Sequence, residues 1–245
     1  MGIERNGENG LRKKYVNIFS GTFEMKAEAL DKNNPSIVKR TTSTGTELIV
    51  DQFDAISGFI TALKYIPDSK VGKRLHLEIT SDMLYVIDIP YIGPKGWVSD
   101  YARTLLARLG NVDLDKEVRI MPYSFIPKDK DRKTSGMVIY QGGEKVGPSI
   151  NYEEIPEAEK IEGIDPGSVT YNPINQTKWY HALMTKLSDK IADYMLGKPA
   201  HKPTKDEDYL TGGLAGSGVH VDTSNVPVMG VDEEPGEEFD DDLPF

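Results

Sequence analysis

The sequence predicts a mainly-β body, and three observations carry that expectation. Short runs rich in Val, Ile, Thr, Tyr and Phe follow one another from Tyr15 to Gln141, with apolar residues either alternating with polar ones or bunched. Turn-forming pairs separate several of these runs: Thr44-Gly45, Ser81-Asp82 and Gly142-Gly143. Helical spacing with start and stop signals occurs in two places, after Ser99 and after Asn172.

Residues 1–11 read as a flexible leader. Arg12, Lys13 and Lys14 then precede a β-rich run from Tyr15 to Phe23; this basic triplet is read either as touching phosphate or as a solvated edge. Met25 to Leu30 is too short to assign. Ile37 to Thr42 and Thr46 to Phe53 form a hairpin around Gly45, with Lys39 and Arg40 on its first arm. Asp54 to Ile66 reads as one bent strand with Gly58 at the bend, where a Cβ would crowd. Leu75, Leu77 and Ile79 alternate with Arg74, His76 and Glu78, the pattern of a half-buried strand. Met83 to Pro90 is apolar enough for a strand covered on both faces.

Ser99 or Asp100 caps a helix that runs to Leu109 and ends at Gly110; Val98, Ala102, Leu105, Leu106 and Leu109 are its buried stripe. Val118 to Phe125 and Gly136 to Gln141 are two more strands, and Gly142-Gly143 turns into a short arm at Lys145-Val146. A bent first strand, a meander, a capping helix and a closing hairpin are the parts of an OB-fold, a five-stranded Greek-key barrel. The strands between Tyr15 and Phe53 are then extra, or extend the first strand. Asn172 as N-cap and Pro173 at the first helical position open a C-terminal helix over 173–196. Its face of Tyr180, Leu183, Met184, Leu187, Ile191, Tyr194 and Met195 packs on the barrel, the alternative being self-association. The expected domain spans 12–200, followed by a linker over 201–230 that contains GGLAGSG at 212–218.

The net charge of −10 over 245 residues conceals an uneven distribution. Of 39 acidic residues, 12 lie beyond Lys205, where there is no Lys or Arg; the remaining 27 face 29 bases, so residues 1–205 carry about +2. With no cysteine there are no disulfides and no thiolate metal sites, which fits a reducing, cytoplasmic location. No secretory signal and no run of about 18 apolar residues is visible.

Phosphate-cradling, zinc-protease and serine-hydrolase motifs are missing, and the four histidines are scattered. Asp82 and Asp88 are the nearest approach to the carboxylate pair of a two-metal nuclease, with Asp82 more simply a turn residue. Neither catalysis nor a cofactor or metal is expected.

Residues 231–245 form an acidic tail: VDEEPGEEFDDDLPF holds eight acids, no base and too little apolar surface to fold. It ends in an apolar tip that a solvated tail does not need and that a small basic-rimmed pocket on a partner can take. Asp240, Asp241, Asp242, Leu243, Pro244 and Phe245 resemble the C-terminal tip of bacterial and phage single-stranded-DNA-binding proteins, with Leu243 where Ile is commoner. The plainer alternative is a solubilising tail. More loosely, Phe53-Asp54-Ala55 leading to Gly58-Phe59-Ile60, and Asn111-Val112-Asp113-Leu114 leading to Met121-Pro122-Tyr123-Ser124-Phe125, resemble the phage branch of that family over about residues 46–150.

The resemblance implies an OB-fold that coats single-stranded DNA without sequence preference. It also implies a tail that recruits replication and recombination proteins and can lie in the DNA groove when DNA is absent.

Aromatic and basic residues lie close together along the chain, as single-strand binding by stacking and backbone tracking requires. The candidate DNA-contacting residues are Lys39, Arg40, Lys64, Tyr65, Arg74, Tyr91, Trp97, Tyr123, Phe125, Lys128, Arg132 and Lys133. Tyr65, Tyr91 and Tyr123 each end a strand beside polar or basic residues. Trp97 follows a Gly-Pro loop and could equally staple the helix start. Phe19, Phe23, Phe59 and Tyr85 read as core, and His76 as a solvated or hydrogen-bonded strand residue. A rival reading is an OB-fold replisome adaptor that has lost strand binding; it is distinguished by whether rings and bases share one face.

Overall fold

A computed structural model of the chain describes residues 12–31, 33–42, 45–93, 95–128, 131–162 and 169–197. The leader, the linker and the acidic tail of the sequence reading lie outside the described residues. Within them the strands are β1 (Lys13–Phe19), β2 (Thr22–Lys26), β3 (Ile37–Thr41), β4 (Glu47–Phe53), β5 (Ile56–Ser69), β6 (Gly72–Thr80), β7 (Leu84–Pro90), β8 (Val118–Phe125), β9 (Thr134–Gln141), β10 (Glu144–Lys145), β11 (Glu159–Glu162) and β12 (Val169–Asn172). The helices are α1 (Asp100–Leu109) and α2 (Ile174–Gly197).

The protein is mainly β, as expected. Ten strands form one mixed sheet in the order β10-β9-β8-β5-β6-β7-β1-β2-β4-β3. Neighbours are antiparallel except β1 and β7, which run parallel from Lys13 beside Leu84 to Asn17 beside Asp88. β11 and β12 pair separately.

Sequence reading places most of these elements within a residue or two, but not the partner of β1. The run from Tyr15 to Phe23 is broken at Ser20-Gly21, both with left-handed φ (50° and 86°), into a hairpin of β1 and β2. The β3–β4 hairpin extends the sheet beyond it.

β5 is the hinge of the architecture. Its first three residues pair with Val118–Ile120 of β8, and from Phe59 onward it pairs with β6. Gly58 stands at the changeover with φ 153°, and a Cβ there would lie 2.5 Å from the Thr80 carbonyl oxygen, so only glycine lets the two strands approach. The sheet also curls back on itself, between the β1–β2 turn and β8. A Cβ on Gly21, in the β1–β2 turn, would lie 2.5 Å from the Ser124 backbone nitrogen of β8. No backbone ladder joins β1 or β2 to β8 among the described residues, so the sheet is not a closed barrel.

α1 fills the gap beside β9. The Met137 backbone N–H of β9 donates to Thr104 Oγ1 at 2.8 Å, and the Ser149 N–H donates to the Ala107 carbonyl at 2.6 Å. Ser99 caps the helix by accepting from the Ala102 N–H at 3.2 Å, and Ala102, Leu105, Leu106 and Leu109 turn into the core as anticipated.

Successive strands contribute fully buried residues to the same face, such as the row Leu63–Leu77–Ile87–Val16 across β5, β6, β7 and β1. Each such side chain stabilises the fold by about 1.5–3 kcal/mol relative to exposure. α2 opens where Asn172 Oδ1 accepts from the Ile174 N–H at 3.1 Å. Its buried Tyr180, Met184, Leu187 and Ile191 join the same core, and Ser188 Oγ donates to the Leu63 carbonyl at 2.7 Å. That face packs on the body, as the first of the two readings had it.

Candidate nucleic-acid interface

Residues opposite one another on paired strands share a face of the sheet. The face turned away from the core can therefore be written in rows running from β5 through β6 and β7 to β1. They are Phe59–Thr80–Leu84–Lys13, Ala62–Glu78–Val86–Tyr15 and Lys64–His76–Asp88–Asn17, with Ile66–Arg74–Pro90 beyond them. Asn17 continues the third row to Glu24 of β2 and Gln52 of β4.

This outer face is unusual in its exposed rings. Tyr15 is 55% exposed, Phe59 44% and Phe19, at the end of β1, 43%. The Tyr15 and His76 rings meet edge to face at 6.0 Å, and Lys13 Nζ lies 5.5 Å from the Tyr15 ring centre. The Arg40 guanidinium lies 4.3 Å from the centre of Phe19, where it adds a cation–π contact.

The cations of the face are engaged with carboxylates. Glu78 Oε1 accepts from Lys64 Nζ at 2.7 Å and from Lys13 Nζ at 3.5 Å. Asp88 takes both Arg74 Nε at 2.8 Å and Arg74 Nη2 at 3.0 Å, and its Oδ1 lies 3.5 Å from His76 Nε2. Buried Glu24 accepts from Arg40 Nε at 2.7 Å and from Gln52 Nε2 at 2.8 Å.

His76 has its pKa lowered below the ordinary 6.5, chiefly because burial disfavours the imidazolium. Lys13 and Arg74 push the same way, while Asp88 and Glu78 oppose them. A folded-state pKa below the unfolded one means His76 supports the fold above pH 6.5, and that support is lost as pH falls through the lowered value. Thermal midpoints between pH 7.5 and 5 should therefore fall less steeply in His76→Gln than in the native chain. Equal slopes would show that His76 is not linked to folding.

The residues expected from sequence divide into three groups. Lys64, Arg74 and Arg40 lie on the outer face. Phe125, 43% exposed, ends β8 beside Tyr123 at 6.0 Å between ring centres. The close approach of Gly21 to Ser124 brings the end of β8 to the β1–β2 turn, and Lys128, Arg132 and Lys133, which follow β8 in the chain, are exposed. The remaining five are elsewhere.

Lys39 points to the opposite phase of β3 and pairs with Glu47 at 2.7 Å. Tyr65 is half-buried, edge-on to Tyr91 at 5.5 Å and to His181 at 5.0 Å. Tyr91 is fully buried and therefore out of reach of a base. Trp97 is half-buried in a loop held by the Gly93 N–H donating to its carbonyl at 2.8 Å, and Thr177 of α2 donates to the adjacent Gly96 carbonyl at 2.8 Å. Tyr123 is half-buried, with its hydroxyl against Gly136 of β9.

Conversely, Phe19 and Phe59, expected in the core, are on the surface, and Tyr15 joins them. Among the described residues no group of three or more His, Asp or Glu is placed to hold a metal ion, and no helix is long and apolar enough to cross a membrane. Asp82 sits in an exposed turn, accepting from the Tyr85 hydroxyl at 3.2 Å, and Asp88 is held by Arg74. Comparison with known families, curated proteins and solved structures gives no match for this chain.

Proposed function

We propose that the protein binds single-stranded DNA on the outer face of β5, β6, β7 and β1, and recruits partner proteins through its acidic tail. The observation that carries this reading is that exposed rings and basic residues share one face: Tyr15, Phe59 and Phe19 with Lys13, Lys64 and Arg74. That arrangement is what separates strand binding from an adaptor. Aromatic platforms accept any base, at about 1–3 kcal/mol each, which suits binding without sequence preference. The exposed Lys128, Arg132 and Lys133 beyond the end of β8 add positive charge for the phosphate backbone.

The strand order favours an OB-type body. β9-β8-β5-β6-β7 has a bent first strand shared by two neighbours and a helix between the third and fourth strands. In that architecture the face of the second and third strands takes oligonucleotides, and here those are β6 and β7. β1 then extends the same face.

Titration of labelled oligo-dT should give binding that weakens as salt rises. Undetectable binding at low salt, with and without residues 231–245, would leave the adaptor reading. Residues 240–245 carry three carboxylates and no base, so their deletion should leave DNA affinity unchanged or raise it, most visibly at low salt. Phe245→Ala keeps the charge but should weaken capture of replication and recombination proteins. Equal capture by native, Phe245→Ala and truncated chains would reduce the tail to a solubiliser.

A further inference from the structure

We propose that Glu78 makes the outer face selective for single strands over duplex, by holding Lys13 and Lys64 away from phosphate. The inference rests on the reading of that face as the DNA site. Glu78 is only 8% exposed and stands mid-face on β6, between β5 and β7. Its Oε1 receives the ammonium of Lys64 from one flank and that of Lys13 from the other, at 2.7 and 3.5 Å. Asp88 treats Arg74 in the same way.

Lys13, Lys64 and Arg74 are therefore opposed by two carboxylates, while Tyr15 and Phe59 stay open to solvent. A ligand gains there by laying bases on rings and gains little by bringing phosphates. Single strands can turn their bases outward. A duplex keeps its bases stacked inside and presents mainly phosphate, which needs unengaged Lys and Arg. A phosphate that sought Lys64 would also have to displace a carboxylate already making a charge-assisted hydrogen bond.

The test compares salt dependence and strand preference. In Glu78→Gln two ammoniums become available. The log–log salt slope for oligo-dT should steepen by about 0.7 to 1.4, at about 0.7 per phosphate engaged. Duplex affinity should rise by a larger factor than oligo-dT affinity, so the single-to-double preference falls.

Lys64→Gln in the otherwise native chain is the complementary variant, and it alters an exposed side chain. Lys64 stands on the proposed DNA face, so its loss can change affinity there; because Glu78 engages it, the oligo-dT salt slope, which counts phosphates engaged, should stay unchanged. A slope shallower by about 0.7 in Lys64→Gln would put Lys64 on phosphate in the native complex and overturn the proposal. So would a Glu78→Gln protein, folded by its melting curve, with unaltered slope and preference. Failure of the site reading looks different: the native chain itself does not bind oligo-dT.

Discussion

If the proposed site is right, replacing Tyr15 and Phe59 together by Ala should remove about 2–6 kcal/mol of oligo-dT affinity and shift the melting temperature by no more than a few degrees. Each ring offers a stacking surface worth about 1–3 kcal/mol by truncation. They stand on β1 and β5, with β6 and β7 between, and one row apart, so three strand spacings of about 4.8 Å across and two residues of about 3.3 Å along separate their positions by roughly 16 Å. At that distance the two losses should add. Each ring is about half exposed, so truncation opens no cavity and the fold loses little. Fluorescence titration of both single variants and the double variant, beside thermal melts, checks the claim. A double variant that binds as the native chain does would remove these rings from the site and leave the shared face without a function.

Why these rings escaped a sequence reading is a matter of phase. In β1 the buried residues are Val16 and, partly, Ile18, so Tyr15, Asn17 and Phe19 take the outer phase. Asn17, a polar residue between two aromatics, was the signal that this phase meets solvent. In β5 the inner phase is Ile56, Gly58 and Ile60, which places Phe59 outside. An apolar run such as ISGFI hides that phase, because period two cannot be read where both phases are apolar.

Other features were legible because their causes are local. Ser99 and Gly110 bound α1, Asn172 and Pro173 open α2, and Gly58 marks the bend. The place of β1 was not, since its partner β7 lies about seventy residues away and a parallel pairing carries no turn signal. That pairing matters for the proposed site because it carries Tyr15, Lys13 and Phe19 onto the face that β6 and β7 begin.

Tyr91 shows the opposite error, a ring taken for a groove residue that the fold places inside, and its replacement has the largest expected effect on stability. It follows β7, next to a loop with Lys95 and Trp97, which is why it reads as exposed. The loop folds back instead. Ile92 bridges to Val98, the Ser99 N–H donates to the Tyr91 carbonyl at 2.8 Å, and the Tyr91 N–H donates to the Lys73 carbonyl at 3.0 Å. α2 then covers the ring, with His181 at 6.3 Å and Tyr65 edge-on at 5.5 Å.

Tyr91→Ala should cost about 3–5 kcal/mol of stability through the cavity it leaves. DNA affinity per folded molecule should be unchanged. Tyr91→Phe should be neutral or stabilising at pH 7, because the hydroxyl is buried without a hydrogen-bond partner among the described residues.

The pH dependence adds a second handle. Burial pushes the Tyr91 pKa above 10, with the nearby Tyr65 adding to it. A folded-state pKa above the unfolded one gives stability that is present below pH 10 and lost as pH rises through the folded value. Tyr91→Phe should remove that share of alkaline destabilisation, leaving Tyr180, itself raised to about 12 by burial, to contribute its own. Denaturant melts of native, Phe and Ala variants at neutral and alkaline pH decide the matter. A Tyr91→Ala protein as stable as the native chain but selectively impaired in oligo-dT binding would place this ring in the DNA site and refute the packing of α2 against the β7–α1 loop.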